Sequence, residues 1–302
     1  MKTAMSLLSR LLKGIILISI FIHPDIQTQW FPVNSTGTNY NIKSIQFINF
    51  NTGFAVSDLS WNNFPNDVIK TTDGGLNWNV IYSENMALYN CIYFLNENTG
   101  FLTGGLYADN NCKILKTSDS GNNWFSVAPS NTIGYIYNCS FINNNTGYAC
   151  GSHYIGGIIL KSTNTGLNWQ ISYFYYPMRA FTTLYFVNSE TGFSAGDSGI
   201  VVKTTNAGLN WVQLTSGTTN NLTSLFFVNV NTGYAVGRYG TVLKTANSGL
   251  TWININNLFI HLSDVLFTNA LTGYTTGISG SIFKTTDGGE SFSPSYHLPV
   301  KT

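Results

Sequence analysis

The sequence predicts an all-β fold, a β-propeller of six four-stranded blades, and three observations predict it. Two short phrases alternate along the chain, each of them in six copies. The segments that carry them read as short strands separated by polar turns, and no long stretch shows the apolar period of a helix. The copies recur every 40 to 47 residues, a period that suits one propeller blade.

The first phrase joins a lysine, a polar turn and an aromatic residue. Its copies are KTTDGGLNW (70–78), KTSDSGNNW (116–124), KSTNTGLNW (161–169), KTTNAGLNW (203–211), KTANSGLTW (244–252) and KTTDGGESF (284–292). The second phrase is an apolar run that ends in TG and an aromatic residue, as in FINFNTGFAV and FVNVNTGYAV. In one unit, LTSLFFVN, YAVG, TVLKT and TWININ read as four successive strands.

The acidic or amide position of the first phrase is predicted to make a turn. It holds Asp73, Asp119, Asn164, Asn206, Asn247 and Asp287. A general acid or nucleophile needs an ionisable group, whereas an oxygen that accepts backbone N–H groups across a turn can come from Asp or Asn. The glycine two residues later is expected at positive φ. One carboxylate per copy is also a poor ligand set for calcium.

The first phrase resembles the Asp box of the bacterial neuraminidase repeat, roughly S-x-D-x-G-x-x-W. Together with the TG phrase it is similar to the propeller repeats of the photosystem II assembly factor-like family, which occur in exported bacterial proteins. The resemblance covers nearly all of residues 30–302 and implies a propeller. It does not select a function, because such boxes occur in sialidases, xyloglucanases, sortilin-type receptors and binding propellers.

The N-terminus has the order of a secretory signal. Three cations within residues 1–13 precede the apolar run GIILISIFI (14–22) and a polar stretch. This run is well short of the roughly 20 residues that span a bilayer. We therefore predict a signal peptide over residues 1–28, a single propeller over 29–302 with no membrane span, and a secreted, periplasmic or cell-surface protein. A membrane anchor is the alternative.

The chain is predicted to close its ring with an N-terminal strand. WFPVNSTGTNYNIKSI (30–45) matches WVQLTSGTTNNLTSL (211–225), so the chain begins with a fourth-strand phrase. Pairing of the segment around Trp30 into the last blade would cover an exposed edge. The last repeat's own fourth strand is weaker, with Phe292 in place of tryptophan and Pro294 inside it. Seven blades is the alternative to six, although no seventh copy of either phrase occurs.

Cysteine and histidine spacing predicts no metal or cofactor. Cys139 and Cys150 flank one hairpin, and Cys91 and Cys112 lie near one end of the second blade. An even count in an exported protein favours disulfide bonds, with small buried core thiols as the alternative. The sequence contains no CxxC, no HExxH and no Cys/His spacing typical of zinc sites.

Charge and residue inventory argue against several function classes. Residues 29–302 hold 11 Lys+Arg and 12 Asp+Glu, a net charge of −1, which disfavours a nucleic-acid partner. Sialidases hold the substrate carboxylate with three arginines, and this part of the chain has only Arg179 and Arg238. Other glycosidases need a carboxyl pair. Outside the repeated phrases the candidates are Asp58, Asp67, Glu84, Asp109, Asp197 and Asp264.

The variable loops are predicted to carry recognition. In a propeller they lie on the face opposite the third-to-fourth strand turns, and they are rich in aromatic residues. The candidate ligand-binding residues are Trp61, Tyr107, Tyr154, Tyr173, Tyr175, Tyr176, Arg179, Arg238 and Tyr239. We expect a non-enzymatic binding or scaffold propeller for a protein or glycan of the cell envelope. The alternatives are rings that only plug the channel and a glycan-active hydrolase or lyase with a carboxylate pair on this face.

Overall fold

The computed structural model describes residues 41–58, 65–106, 111–130 and 132–296. Over these residues the chain forms six antiparallel sheets of four strands, each in sequence order. The predicted six-bladed propeller is therefore confirmed. Within the same residues, no helix has the length and apolar character that a membrane crossing requires.

The first three blades have the longer strands, apart from the two-residue strand β8. Blade 1 consists of β1 (Asn41–Phe47), β2 (Gly53–Asp58), β3 (Pro65–Thr71) and β4 (Asn79–Asn85). Blade 2 consists of β5 (Ala87–Phe94), β6 (Gly100–Leu106), β7 (Cys112–Thr117) and β8 (Phe125–Ser126). Blade 3 consists of β9 (Gly134–Phe141), β10 (Gly147–His153), β11 (Gly156–Ser162) and β12 (Gln170–Tyr175).

The last three blades are shorter, and a single 3-10 turn joins the second and third strands of each one. Blade 4 consists of β13 (Phe181–Phe186), β14 (Gly192–Gly196), β15 (Val201–Thr204) and β16 (Val212–Leu214). Blade 5 consists of β17 (Leu222–Phe227), β18 (Gly233–Gly237), β19 (Thr241–Thr245) and β20 (Ile253–Asn257). Blade 6 consists of β21 (Leu262–Phe267), β22 (Gly273–Gly277), β23 (Ile282–Thr285) and β24 (Ser293–Tyr296). The turns span Asp197–Gly199, Arg238–Gly240 and Ile278–Gly280.

The first strand of every blade lines a central cavity of about 550 Å³. Side chains join these innermost strands to the next blade. The Gln46 side chain accepts the backbone N–H of Phe94 at 2.6 Å and donates to its carbonyl oxygen at 3.0 Å. The Tyr185 hydroxyl likewise donates to the carbonyl of Phe227 at 3.0 Å. Neighbouring first strands do not belong to one sheet, so these bonds bind one blade to the next around the cavity.

The TG phrase supplies the aromatic packing between blades. The ring of Phe47 lies against Gly53, where a Cβ atom would come within 2.8 Å of it. This contact explains why the position holds glycine. The aromatic residue after the glycine then stacks on the next blade, as Phe54 does on Phe94 with ring centroids 3.7 Å apart. Phe94 also meets the tryptophan of its own blade, Trp124, edge to face at 6.1 Å.

The ring closes between the first and last blades through a shared core. Ile45 and Phe47 of blade 1 belong to the same buried cluster as Leu266 and Phe267 of blade 6. The fourth-strand position of blade 6 is filled by β24, which pairs with β23. The sequence prediction gave this position to the segment around Trp30, which lies outside the described residues. In the described chain, blade 6 is completed by its own C-terminal strand.

All four cysteines are buried, and none is in a disulfide bond. Cys139 stands opposite Ala149 rather than Cys150, which faces Asn138. Cys91 stands opposite Thr103, and Cys112 stands opposite Gly105. Neither pair suggested by the spacing in sequence is thus a cross-strand pair.

Candidate functional site

Each copy of the first phrase folds into a closed hydrogen-bonded turn, called a box turn below. In blade 1 the Thr71 hydroxyl donates to Asp73 Oδ1 at 2.8 Å and accepts the N–H of Gly75 at 2.9 Å. Asp73 Oδ1 also accepts the backbone N–H of Asn77 at 2.9 Å. The indole of Trp78 donates to the carbonyl oxygen of Gly75 at 3.1 Å. The carboxylate is therefore engaged within its own turn.

The amide copies make the same bonds with one oxygen. Asn206 Oδ1 accepts the Thr204 hydroxyl at 3.0 Å and the N–H of Asn210 at 2.9 Å. The carboxylate copies use their second oxygen for one more side chain, as Asp73 Oδ2 does for the Asn77 amide at 2.7 Å. The N–H and amide of Asn77, with the Thr71 hydroxyl, lower the pKa of Asp73 to about 2. The feature common to all six copies is a capped turn.

The lysines of the box turns join neighbouring blades, a role that the sequence analysis missed. Five of them donate to a carbonyl in the box turn of the next blade: Lys70 to Ser120, Lys116 to Thr165, Lys161 to Ala207, Lys203 to Ser248 and Lys244 to Gly288. Lys284, in the last blade, lies 5.8 Å from the ring centroid of Tyr274. The invariance of lysine across the six copies was the available signal.

The box turns and the TG turns lie together on one face. The N–H of Ala207 donates to the carbonyl oxygen of Glu190 at 2.9 Å, and Gly74 donates to Asn51 in the same way. Equivalent bonds occur in the other four blades. The alternation of the two phrases in the sequence therefore reflects a contact within each blade. The regular hydrogen bonding gives the propeller a rigid face opposite the variable loops.

The variable-loop face carries three exposed tyrosines among the predicted binding residues. Tyr154 lies between β10 and β11, Tyr176 follows β12, and Tyr239 lies between β18 and β19. Their side chains are 60%, 70% and 65% exposed, respectively. Arg238 is also exposed, and Arg179 is half-buried. Trp61 and Tyr107, the other two loop aromatics predicted, lie outside the described residues.

Tyr173 and Tyr175 have a different environment. Both rings pack toward Phe181 at the start of blade 4, with centroid distances of 6.0 and 6.3 Å. They alternate along β12 with Phe174, which points to the opposite side and meets the His153 ring at 5.6 Å. The four predicted residues between 173 and 179 thus divide between a blade interface and the open face.

Several exposed apolar residues on this face were missed by the sequence analysis. They occupy connections between second and third strands or between blades: Met86, Ile133, Ile155, Met178, Phe259 and Ile278. Phe259 is 91% exposed. The sequence shows that these apolar residues lie in non-repeating loops. It does not show whether their side chains are exposed, because the exposure of a loop residue depends on tertiary packing.

Five exposed aromatic or apolar side chains of the loop face belong to blade 3 and the connection after it, and we call them the blade-3 patch: Tyr154, Ile155, Phe174, Tyr176 and Met178. The ring of His153 contacts both Tyr154, at 4.6 Å, and Phe174. The β10–β11 turn also runs directly beside the end of β12, because a Cβ atom on Gly156 would overlap the carbonyl oxygen of Tyr175. These contacts bring the patch residues from two connections together.

The described candidate carboxylates, those outside both repeated phrases, are held in separate places. Asp67 accepts the Ser83 hydroxyl, and Glu84 accepts Tyr89 and Lys113. Asp67 pairs with Ser83 and Glu84 pairs with Asn66, and these are adjacent pairs between β3 and β4. Because side chains alternate between the two faces of a sheet, the two carboxylates point to opposite sides of blade 1.

The remaining two carboxylates belong to blades 4 and 6. Asp197 accepts the N–H of Ala180 at 3.0 Å and the Asn221 amide at 2.7 Å. Asp264 accepts the Ser224 hydroxyl and borders the central cavity. Asp109 and the side chain of Asp58 lie outside the description, and the described residues contain no group of three or more metal-ligating side chains.

Comparison with known proteins supports the fold. No family model matches the chain, and no curated protein matches it. Among solved structures, YCF48 bound to D1 peptide is 17% identical, with a TM-score of 0.64 over 85% of this chain and 81% of that one. YCF48 from Cyanidioschyzon merolae is 15% identical, with a TM-score of 0.65 over 85% of each chain.

A second group of similar structures consists of enzymes. The Niastella koreensis GH74 enzyme is 15% identical, with a TM-score of 0.66 over 88% of this chain and 49% of that one. The chain thus spans about half the length of that enzyme. At these identities the likenesses establish the β-propeller fold, and they include both a peptide-bound protein and GH74 enzymes.

Proposed function

We propose that this chain is a non-enzymatic binding propeller that holds a peptide segment of another protein on its variable-loop face. The observation that carries the proposal is the set of exposed aromatic rings on this face: Tyr154, Phe174, Tyr176, Tyr239 and Phe259. The box face also exposes apolar side chains, but most of these are leucine and valine. Rigid aromatic side chains bury a large area at low entropic cost, which makes them frequent anchors in interfaces. The similarity to a propeller bound to D1 peptide supports the same class of ligand.

Tyr239 adds a conformational argument. Its φ is +57°, a left-handed conformation that non-glycine residues adopt at some cost. The equivalent turns of blades 4 and 6 place the smaller Ser198 and Ser279 there. The Tyr239 N–H donates to Nδ1 of His261 at 3.1 Å, and the two rings meet edge to face at 5.2 Å. A large exposed ring in a fixed, strained turn is expected where a ligand uses it.

The proposal can be tested with an array of synthetic peptides of varied sequence. The test variant is the triple substitution Tyr154→Ala, Tyr176→Ala and Tyr239→Ala, which removes three exposed rings of the loop face. The matched control is Leu76→Ala, Leu209→Ala and Leu250→Ala, three side chains that are 64%, 75% and 66% exposed on the box face. We expect the control to keep the wild-type peptide profile and the tyrosine variant to lose it. Equal profiles for all three proteins would contradict the proposal.

Export is a separate part of the proposal and rests on the leader-like order of residues 1–28. Expression of the full chain in a bacterial host, followed by fractionation and N-terminal sequencing, would test it. Recovery outside the cytoplasm with a new N-terminus near residue 29 is the expected result. A product that keeps Met1 in the cytoplasm would contradict it.

A glycan-active hydrolase or lyase is the second candidate, favoured by the likeness to GH74 enzymes. Asp264, which borders the central cavity, is its best-placed described carboxylate. A glycosidase of the usual kind needs a second carboxyl group at about 5–10 Å from the first. Incubation with xyloglucan oligosaccharides would test this function. Hydrolysis by the wild type that Asp264→Asn abolishes, without loss of folding, would favour the enzyme over the binding propeller.

A further inference from the structure

The sulfur atoms of Cys91 and Cys139 lie 4.0 Å apart, although the two residues are 48 positions apart and belong to different blades. Cys91 is on β5 and Cys139 is on β9, the innermost strands of blades 2 and 3. Their side chains are 7% and 2% exposed, respectively, and both residues border the central cavity. The pair therefore bridges a blade interface at the wall of this cavity.

The repeats show that cysteine is unusual at both positions. The position of Cys91, three residues before the last phenylalanine of the first strand, holds a polar residue in the other blades: Ser44, Asn138, Thr183, Ser224 and Asp264. The position of Cys139, two residues before that phenylalanine, holds a branched apolar residue in the others: Ile45, Ile92, Leu184, Leu225 and Val265. In blade 1 the equivalent contact joins the Ser44 hydroxyl to the N–H of Ile92. Cysteine thus replaces the usual polar residue at one position and the usual apolar residue at the other, and these two cysteines meet at one interface.

We propose that Cys91 and Cys139 form an oxidisable pair, which a small disulfide compound converts into a disulfide bond between blades 2 and 3. The sulfurs are already in contact, so side-chain rotation is the main movement required. The neighbouring thiol, followed by burial, raises the pKa of Cys139, so the thiolate is scarce at neutral pH. We therefore expect slow reaction that accelerates as the pH rises.

The chemistry is a two-step thiol–disulfide exchange. The Cys91 thiolate, from the more exposed residue, attacks one sulfur of the small disulfide, whose S–S bond breaks and releases one small thiolate. Cys139 then attacks the Cys91 sulfur of the mixed disulfide, which forms the bond between the blades and releases the second small thiolate. The two protons lost by the cysteines end on the two released thiols. The protein is oxidised by two electrons, and the small disulfide is reduced by two.

The consequence is a covalent link that encloses the segment from residue 91 to residue 139. Such a link restricts the unfolded chain and should raise the thermal midpoint by several degrees. It also fixes two blades to each other at the cavity wall. The effect should be reversed by a reducing agent.

Two matched variants test the pairing with oxidised glutathione as the probe. Cys112→Ala/Cys150→Ala keeps only the proposed pair, and Cys91→Ala/Cys139→Ala keeps only the other two cysteines. After oxidation of the folded proteins, remaining thiols are alkylated in denaturant and counted by mass. We expect the first variant to lose both thiols and to give a non-reduced tryptic product that joins residues 71–113 to residues 117–161. The second should keep both of its thiols.

The wild type provides the third measurement and keeps the test valid if a variant folds poorly. Of its four cysteines, two should become resistant to alkylation, with the thermal midpoint raised until reductant is added. The proposal is overturned if all four thiols remain in the folded wild type while a urea-unfolded sample reacts. It is also overturned if the Cys91→Ala/Cys139→Ala protein forms a cross-link as readily as its counterpart.

Discussion

The ammonium group of Lys161 donates to the carbonyl oxygen of Ala207 at 2.6 Å, across the interface between blades 3 and 4. The same carbonyl accepts the hydroxyl of Tyr148 at 2.7 Å, and Lys161 lies 5.6 Å from the centre of the Tyr148 ring. One turn of blade 4 is thus held by two side chains of blade 3. Equivalent lysine contacts at four other interfaces form a belt that joins the box turns in order from blade 1 to blade 6.

Replacement of Lys161 by methionine should weaken this belt while keeping the aliphatic length of the side chain. We expect the free energy of unfolding to fall by about 1–2 kcal/mol, because one charged hydrogen bond is lost while Tyr148 still satisfies the carbonyl. Chemical denaturation would measure the change. The control is Leu209→Ala in the box turn of blade 4 that Lys161 contacts, where the side chain is 75% exposed and a change within about 0.5 kcal/mol is expected. Equal effects of the two substitutions would argue against an inter-blade role for the lysine.

The box turn of blade 1 should tolerate loss of charge but not loss of its central hydroxyl. Asp73→Asn should leave the thermal midpoint close to that of the wild type, since the amide copies form the same turn with one oxygen. Thr71→Val should cost about 1–3 kcal/mol, because it leaves the N–H of Gly75, normally bonded at 2.9 Å, without its acceptor in a buried turn. Thermal denaturation of both variants distinguishes the outcomes. A larger loss from Asp73→Asn than from Thr71→Val would contradict the turn-capping role.

The three carboxylate box turns should make the protein sensitive to acid. Hydrogen bonds from Asn77 and Thr71 lower the pKa of Asp73 to about 2, and corresponding bonds lower the pKa of Asp119 and Asp287. A carboxylate with a lowered folded pKa adds stability above its unfolded pKa of about 4. That stability disappears as the pH falls through the folded pKa. Stability should therefore decline between about pH 4 and pH 2.

The triple variant Asp73→Asn, Asp119→Asn and Asp287→Asn tests this dependence. Its thermal midpoint should resemble that of the wild type near pH 7 and should fall less steeply on acidification below pH 4. Midpoints measured at a series of pH values provide the comparison. An unchanged acid slope would show that these carboxylates do not contribute to it.

The repeats made the fold predictable, whereas the detailed site depended on packing. The alternation around Phe47, Gly53 and Phe54 was sufficient to predict strands and turns, because every blade repeats it. The distance between Cys91 and Cys139 could not be predicted, since it depends on how two blades align around the cavity. The exposure of Phe259 was not apparent either, because the environment of a loop residue is set by its tertiary neighbours. The same is true of β24, an irregular strand that contains Pro294.

Substitution of the two adjacent tyrosines at the end of β12 should distinguish a residue that packs in the fold from one that binds the ligand. Tyr175 is half-buried and packs toward Phe181 at a centroid distance of 6.3 Å, so Tyr175→Ala should cost about 1–3 kcal/mol. Tyr176 is 70% exposed, so Tyr176→Ala should stay within about 0.5 kcal/mol of the wild type.

Binding measurements on the same two variants complete the comparison. Titration of each folded protein with a peptide selected on the wild type, monitored by calorimetry, should show weaker binding for Tyr176→Ala, because its ring is available on the loop face. Tyr175→Ala should retain wild-type affinity at a temperature well below its midpoint, since its ring lies in the blade interface. Wild-type affinity in Tyr176→Ala, together with a large loss of stability, would instead place that ring in the fold and remove it from the binding surface.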